Sequence, residues 1–408
     1  MKRSILLSIL FILTLCSCAQ TNGKIILGTI DSIQSKILNE QRKIWVYVPE
    51  GNNMSSKEKY PVVYLLDGDA HFYSVVGMIQ QLSSVNGNTT CPKMIVVGIP
   101  NTDRTRDLTP THVDADPPYM DSASSKTSGG GERFISFIEK ELMPHIDSLY
   151  PTAPYRILIG HSFGGLTAMN TFIHHTNLFN AYIVIDPSMW WDHQKLLKET
   201  KSDLASKKYD GVSLFLGIAN TMSIGMDTIR VKQDTSGDTK HIRSILALSS
   251  YFNSNRNNGL KFNYKYYNDD DHGSVPLITE YDALHFIFDF YKLKLDFKAF
   301  FDPALRLDTT ISEHYKNVSK HFGYTVKPSE DFVNAMGYQF LQLKQYNKAE
   351  GMFKMNVENY PESSNVFDSM GDFYDATGNK PKAIEYYKKA LAIKEVPETK
   401  SKLEKLLK

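Results

Sequence analysis

The sequence predicts an α/β fold, a doubly wound and mostly parallel sheet, followed by a small all-α module. From Gly28 to about Leu295, short β-rich runs alternate with helical patterns. Several of these runs are continuously apolar, which is typical of strands buried on both faces of a sheet. We therefore divide the chain into an α/β domain at 28–295, a connector at 296–327 and a helical module at 328–408.

The strands are predicted from apolar runs and from alternation. Ile33–Ile37 and Arg42–Val48 flank the polar pair Asn39-Glu40, which indicates an opening hairpin. Six further strands are expected at 62–66, 94–99, 156–160, 181–185, 212–218 and 262–267. Amphipathic patterns between them predict helices at 71–83, 132–148, 166–174, 194–207, 241–255 and 281–292. Two antiparallel strands followed by six strands with crossover helices define a doubly wound architecture.

The helical module contains an internal repeat with an offset of 34 residues. Residues 334–338 recur at 368–372, Ala349 recurs as Ala383, and an aromatic residue follows each alanine by four positions. This pattern resembles the tetratricopeptide repeat, in which small residues let two helices pack closely. Two repeats are visible, and about three are usually needed for a stable stack, so we expect the module to pack against the α/β domain. The repeats are either a packing appendage or a groove for a protein partner.

The overall charge and composition exclude some classes of function. Lys and Arg number 46 against 45 for Asp and Glu, a formal net charge of +1. No global field is therefore available to recruit nucleic acid, and we expect no nucleic-acid partner. The sequence shows no metal-ligand cluster and no glycine-rich phosphate loop, so we expect neither a metal nor a cofactor.

The first residues have the pattern of a lipoprotein signal peptide, which we assign to 1–18. A basic start precedes an apolar run that is too short to span a bilayer, and Leu15-Cys16-Ser17-Cys18 resembles a lipobox with Cys18 as the lipidated residue. This predicts a protein anchored by lipid in the bacterial cell envelope, facing the periplasm. The alternative is a secreted protein that is cleaved near Ala19.

The stretch YRILIGHSFGG carries the strongest chemical signal. Gly160-x-Ser162-x-Gly164 follows a predicted buried strand and precedes a predicted helix, which is the context that a nucleophile elbow requires. The glycines are needed because side chains there would collide with the strand and helix on either side of the turn. Ser162 is therefore the candidate nucleophile.

A serine nucleophile needs a base and an acid. His272 lies on the loop that leaves the last predicted strand, in the chain order Ser, acid, His that this motif requires. The acid should follow the strand at 212–218, and we favour Asp227 because it lies nearest that strand. The alternatives are Asp234, Asp238 and Asp186.

The oxyanion formed during acyl transfer needs backbone donors. One is the amide of Phe163, the residue after the nucleophile, and the second is expected from Gly68 or Asp69 in the stretch YLLDGDAHF. Asp67 is expected to tie down this loop.

Five stretches carry a family resemblance: YLLDGDAHF, RTRDLTP, GHSFGG, DPSMWW and DHGSVPL. In this order they resemble the esterase branch of the α/β-hydrolase superfamily, which includes siderophore esterases, the S-formylglutathione hydrolase type and feruloyl or acetylxylan esterases. The resemblance covers about 28–295. It implies a cofactor-free serine carboxylic-ester hydrolase with an acyl-enzyme on Ser162 and His272 as base, and in some members a dyad without a strong acid.

The substrate side is less defined by the sequence. Trp190 and Trp191 are candidates for the wall of an acyl or aryl pocket, and Arg104 and Arg106 for receiving an anionic group. The expected substrate is a small-molecule siderophore ester or a carbohydrate-linked ester. The alternatives are a catalytically silent scaffold that binds a protein partner and an acyltransferase that uses the same residues.

Overall fold

This computed structural model describes residues 25–49, 58–302 and 305–408. The predicted signal peptide and its lipidation site Cys18 lie outside the described residues. None of the helices in the described part of the chain combines the length and the apolar character needed to cross a membrane.

One eight-stranded sheet organises the α/β domain. Its strands are β1 (Thr29–Ser35), β2 (Glu40–Tyr47), β3 (Tyr60–Leu66), β4 (Ile95–Ile99), β5 (Thr152–His161), β6 (Ala181–Ile185), β7 (Ser213–Ala219) and β8 (Lys261–Tyr267). The spatial order is β1-β2-β4-β3-β5-β6-β7-β8. β1 pairs antiparallel with β2, and β2 with β4, whereas every later pairing is parallel. The predicted hairpin and mostly parallel sheet are therefore confirmed.

Helices connect the strands of the α/β domain. They are α1 (Gly68–Ser83), α2 (Arg104–Leu108), α3 (Ser122–Ser125), α4 (Gly131–Phe137), α5 (Met143–Leu149), α6 (Phe163–His174), α7 (Trp191–Ser206), α8 (Lys240–Ser254) and α9 (Val275–Ile287). A π-helical turn at Ile138–Leu142 joins α4 to α5. α9 begins six residues earlier than predicted, because Pro276 fits the first turn of a helix, where no amide donor is needed.

The sheet separates two apolar cores, one on each face. Along β3, Val62, Tyr64 and Leu66 belong to one core, while Val63 and Leu65 belong to the other. This alternation follows from the two-residue period of a strand, and both faces need apolar side chains because helices cover both. The continuous apolar runs of the sequence are explained by this double burial.

The connector contains two helices, α10 (Phe297–Phe301) and α11 (Leu307–Phe322). Leu307 and Ile311 of α11 pack in the core of the helical module, whereas Val318 and Phe322 pack in a core of the α/β domain. The Phe322 ring meets Tyr155 edge-on, with 5.0 Å between ring centroids. α11 therefore belongs to both cores.

The C-terminal helices are α12 (Glu330–Gln342), α13 (Tyr346–Asn359), α14 (Ser364–Ala376), α15 (Lys380–Ile393) and α16 (Pro397–Leu407). A side chain at Gly337 would lie 2.7 Å from the Phe353 ring, and one at Gly371 would lie 2.5 Å from the Tyr387 ring. The repeated glycines thus let α12 approach α13 and α14 approach α15 in the same way. The all-α character is confirmed, and the tetratricopeptide assignment stays a prediction.

Candidate active site

Ser162 lies in a strained turn between β5 and α6. Its backbone angles are φ 60° and ψ −114°, and its amide donates to the Ile185 carbonyl at 3.0 Å. A Cβ on Gly160 would lie 2.1 Å from the carbonyl oxygen of Gly164, so only glycine fits at this position. A non-glycine residue with positive φ is uncommon and costs free energy, which indicates that the surrounding structure imposes this conformation on Ser162.

His272 and Asp186 meet at the same edge of the sheet as Ser162. His272 follows β8, Asp186 follows β6, and His272 Nδ1 donates to Asp186 Oδ2 at 2.6 Å. The other oxygen, Asp186 Oδ1, accepts the Ala219 amide at 3.0 Å. Because β6 lies next to β5 in the sheet, Asp186 is brought beside the elbow.

The structure places Asp227 elsewhere, which corrects our preferred choice of acid. Its exposed carboxylate accepts the amides of Ile229 and Arg230, each at 2.8 Å, and thereby caps its own turn. Asp234 likewise binds Ser236 and Thr239 within its own loop. Asp186, which the sequence offered as an alternative, is the carboxylate hydrogen-bonded to His272.

A second histidine, which the sequence did not single out, contacts the same carboxylate. His241 Nε2 donates to Asp186 Oδ2 at 2.8 Å, and both side chains are buried. Burial raises the pKa of Asp186, but the hydrogen bonds from His241 and His272 and their charges outweigh it, so the pKa lies below its usual range. Asp186 is therefore a buried carboxylate that is kept ionised.

His161, the residue before Ser162, lies against His272 with 4.5 Å between ring centroids. Burial, with a further contribution from the neighbouring His272 and His71, lowers the pKa of His161 to about 4. At neutral pH this ring is therefore uncharged, so it adds no positive charge beside His272.

The hydroxyl of Ser162 lies 3.5 Å from that of Ser188. Ser188 is buried, and its amide donates to the Ser162 carbonyl at 3.0 Å. This contact is long for a hydrogen bond between hydroxyl groups, so it does not tie the Ser162 hydroxyl to Ser188.

The predicted oxyanion donors lie at the beginnings of two helices. Phe163 is the first residue of α6, and Gly68 and Asp69 are the first two residues of α1. Amides in the first turn of a helix have no partner inside that helix. A Cβ on Gly164 would lie 3.1 Å from Asp67, which shows that the two helix starts adjoin.

Asp67 fixes the start of α1, as the sequence suggested. It adopts a left-handed conformation with φ 52°, and its carboxylate is held by Arg104 Nε at 2.7 Å and by Asn101 Nδ2 at 2.7 Å. The Arg104 guanidinium also lies 5.3 Å from the centre of the Phe163 ring. Arg104 therefore lies beside the elbow, but with its charge paired.

Arg106 lies in an ion-pair network. It binds Asp107 at 2.7 Å and Glu40 at 2.7 Å, and the buried Arg42 contacts the same two carboxylates. Pairing with the carboxylates of Asp107 and Glu40 raises the pKa of Arg106. This network joins β2 to α2. It pairs the positive charge of Arg106 with carboxylates of the protein, whereas we had expected that charge to bind an anionic group of the substrate.

Trp190 and Trp191 are buried and flank Phe163, with centroid distances of 6.0 and 5.3 Å. Trp190 also contacts Tyr119, while the Trp191 indole donates to Thr111 at 3.2 Å. Trp191 borders a cavity of about 430 Å³ whose other walls include Glu132, Asn170, His174, His175 and Glu199. The role of the two indoles in holding substrate stays a prediction.

The donor set of Asp186, His241 and His272 is also of a type that binds metals, and its ligand atoms lie within 4.8 Å of one another. However, the two nitrogen–oxygen distances of 2.6 and 2.8 Å converge on a single oxygen and are those of charge-assisted hydrogen bonds. We interpret the group as a hydrogen-bonded network.

Together, the sheet order, the strained serine and the His–Asp pair define an α/β hydrolase with a nucleophile elbow. The sequence profile of the family described as Putative esterase matches residues 35–240, and the chain belongs to this family.

Several relatives and solved structures are similar to this chain. The siderophore enterobactin esterase of Emericella nidulans is 31% identical over 34% of this chain and 50% of its own length, and the ferri-bacillibactin esterase BesA of Bacillus subtilis is 29% identical over 40% and 59%. The matches thus span half to three fifths of these relatives.

An IroE-like serine hydrolase from Shewanella oneidensis superimposes with a TM-score of 0.68 at 31% identity, covering 81% of this chain and 99% of that one. An uncharacterised protein from Capnocytophaga ochracea, 18% identical, covers 93% of this chain and 99% of its own with a TM-score of 0.60. The second likeness extends the shared fold over most of the chain.

Proposed function

We propose that this protein is a serine carboxylic-ester hydrolase that acts through an acyl-enzyme on Ser162. The observation that carries the proposal is the strained Ser162 at the sheet edge where His272 is hydrogen-bonded to Asp186 at 2.6 Å. A histidine held by an ionised carboxylate is the base that a serine hydroxyl requires.

In the proposed reaction, Ser162 Oγ attacks the ester carbonyl carbon while its proton passes to Nε2 of His272. The amides of Phe163 and of Gly68 or Asp69 stabilise the oxyanion. His272 then gives the proton to the departing alkoxide, and the alcohol leaves. Water attacks the acyl-enzyme as His272 accepts its proton, which then returns to Ser162 as the carboxylic acid is released.

The substrate class that we favour is a siderophore ester. Family membership supports an ester as substrate, and two relatives that are named siderophore esterases are 31% and 29% identical to parts of this chain. Carbohydrate-linked acyl esters are the competing class. An acyltransferase would use the same residues with a hydroxyl acceptor in place of water.

We further propose that the protein acts outside the cytoplasm, anchored by lipid on Cys18. This rests on the sequence of residues 1–18 alone. Metabolic labelling with an alkyne-bearing fatty acid tests it, since Cys18→Ala should abolish incorporation of the label.

The main experiment compares wild type with Ser162→Ala and, as a matched control, the exposed Ser202→Ala. We expect a fluorophosphonate probe to label wild type and Ser202→Ala but not Ser162→Ala, with unchanged circular dichroism. Hydrolysis of catechol-siderophore, feruloyl and short-chain esters should follow the labelling. Equal labelling of Ser162→Ala, or a folded wild type that neither labels nor hydrolyses any ester, would contradict the proposal and favour a silent scaffold.

A further inference from the structure

Asp186 Oδ2 receives two imidazoles, and only one of them is needed for acyl transfer. His272 Nδ1 lies 2.6 Å away and His241 Nε2 lies 2.8 Å away. Asp186 is fully buried, and its second oxygen is taken by the Ala219 amide. The carboxylate is thus held from three directions in a place that water does not reach.

The protons in this network can be assigned from the acceptor. An ionised carboxylate only accepts hydrogen bonds, so both His241 Nε2 and His272 Nδ1 must carry protons. His272 then has its other nitrogen, Nε2, available to take the Ser162 proton. His241, which is buried, donates its Nε2 proton to Asp186.

His241 is itself fixed by the long polar loop between β4 and α4. It is the second residue of α8, and its amide donates to the Tyr119 hydroxyl at 3.2 Å. That hydroxyl can donate its single proton to the carbonyl of Gly237 or to that of Asp238, which lie 3.1 and 3.0 Å away. The adjacent Lys240 binds the buried Asp116 at 2.6 Å. The start of α8 is therefore clamped to the loop that carries Tyr119.

We propose that His241 is a positioning residue, which holds the Asp186 carboxylate in the orientation that receives His272. The inference rests on the proposed function of this site and deepens it. Rotation of the carboxylate about its Cβ–Cγ bond would break both imidazole contacts at once. With His241 in place, such rotation costs two charge-assisted hydrogen bonds instead of one.

Other titratable groups also face His272, and they have to be kept constant in any test. The His161 ring lies 4.5 Å from the His272 ring in a tilted arrangement, His71 meets His161 edge-on, and the carboxylate of Asp271 interacts with the charge of His272. Of these groups and His241, only His241 is hydrogen-bonded to Asp186 Oδ2. The His241 ring also meets the His272 ring edge-on, with 5.3 Å between centroids. Both His241 variants lose this ring contact, so the comparison of glutamine with leucine isolates the hydrogen bond.

The test compares His241→Leu with His241→Gln in the full chain. The glutamine Nε2 reaches about as far as the histidine Nε2 and donates an N–H, whereas leucine fills the space without a donor. The readout is the Nδ1 proton resonance of His272 in spectra of protein labelled with ¹⁵N-histidine, assigned by its loss in Asp186→Asn. We expect the resonance to broaden or vanish in His241→Leu and to return in His241→Gln.

In parallel, kcat should fall about 10- to 100-fold in His241→Leu with little change in KM, by analogy with the loss that follows removal of a hydrogen-bond partner behind a metal-ligating side chain. The glutamine variant should recover most of the loss. An unchanged resonance and kcat in His241→Leu would overturn the proposal. The resonance is measured without turnover, so a wild type that shows it but hydrolyses no ester refutes the esterase assignment and leaves the positioning role to be decided by the variants.

If His241→Leu does not fold, Tyr119→Phe replaces it. This variant keeps the ring against Trp190 but removes the hydroxyl that accepts the His241 amide. A broadened His272 resonance in a folded Tyr119→Phe supports the proposal, and a wild-type resonance there overturns it.

Discussion

At the scale of single residues, the site depends on where Asp186 lies. The residue has a positive φ of 39°, and this turn directs its side chain to the gap between the elbow and the loop after β8. Since His272 binds Asp186 and not Asp227, the Asp186 carboxylate sets both the tautomer and the orientation of His272, the proposed base.

We predict that Asp186→Asn lowers kcat by about 10²- to 10⁴-fold, because an amide NH₂ can favour the wrong tautomer of His272. The matched substitution Asp227→Asn removes only the charge from the cap of an exposed turn, because the amide oxygen can still accept the same hydrogen bonds, and it should leave kcat unchanged. Steady-state kinetics with the best ester substrate measure both. A larger loss for Asp227→Asn would restore the choice made from the sequence.

A second prediction concerns pH and His161. Its pKa is lowered to about 4 in the folded protein, against about 6.5 in an unfolded chain. Between these values the unfolded state binds more protons, so the free energy of unfolding falls as pH decreases from 6.5 to 4. Urea denaturation at a series of pH values should show this loss in wild type and a smaller one in His161→Asn. The exposed His193→Asn should behave like wild type.

The sequence predicted Ser162 and His272 because each is marked locally, one by flanking glycines and the other by its place after the last strand. The choice among the acids could not be made in this way, because it depends on which strand end lies beside β5 in space. His241 carried a weaker signal, a polar ring on the apolar face of a predicted helix. What distinguishes His241 from other buried histidines is its contact with the Asp186 carboxylate, and that contact depends on tertiary structure.

At the scale of secondary-structure elements, the elbow depends on close approach of backbones. A Cβ on Gly160 would overlap the Gly164 carbonyl, whereas one on Gly77 in α1 would meet nothing within 4 Å. We predict that Gly160→Ala abolishes labelling of Ser162 by a fluorophosphonate and lowers the melting temperature.

The control, Gly77→Ala, should keep full labelling and stabilise the protein by about 0.5–1 kcal/mol, since alanine is preferred over glycine inside a helix. Calorimetry together with labelling distinguishes the two. Normal labelling of Gly160→Ala would show that the turn can open without losing the nucleophile.

The strands were predictable because burial on both faces leaves continuous apolar runs such as VVYLL and AYIVI. Helix boundaries were less predictable than strands. The start of α9 was predicted too late in the sequence, because its first turn contains Pro276 and few polar residues. α11 was not predicted at all. Its buried residues Leu307, Ile311, Val318 and Phe322 do lie along one face at helical spacing. What the sequence does not reveal is that the two ends of this face pack in different cores, since that depends on tertiary structure.

At the scale of the whole molecule, α11 couples the two cores. Phe322 packs against Tyr155, Phe288 and Phe290 of the α/β domain. We predict that wild type unfolds in one calorimetric transition, and that Phe322→Ala destabilises it by about 3–5 kcal/mol and separates the transition into two.

Phe332→Ala, on the surface of α12, is the matched control because its ring is 37% exposed. It should keep the single transition with a small change in melting temperature. Two transitions already present in wild type would mean that the domain and the helical module fold independently.

The shared helix also determines how the two parts of the molecule can be used together. A module attached by a flexible linker would sample many orientations relative to the α/β domain. Because α11 packs in both cores, the repeats keep a fixed orientation and distance relative to the sheet edge that carries Ser162. The surface of the helical module therefore has a fixed orientation relative to the sheet edge that carries Ser162.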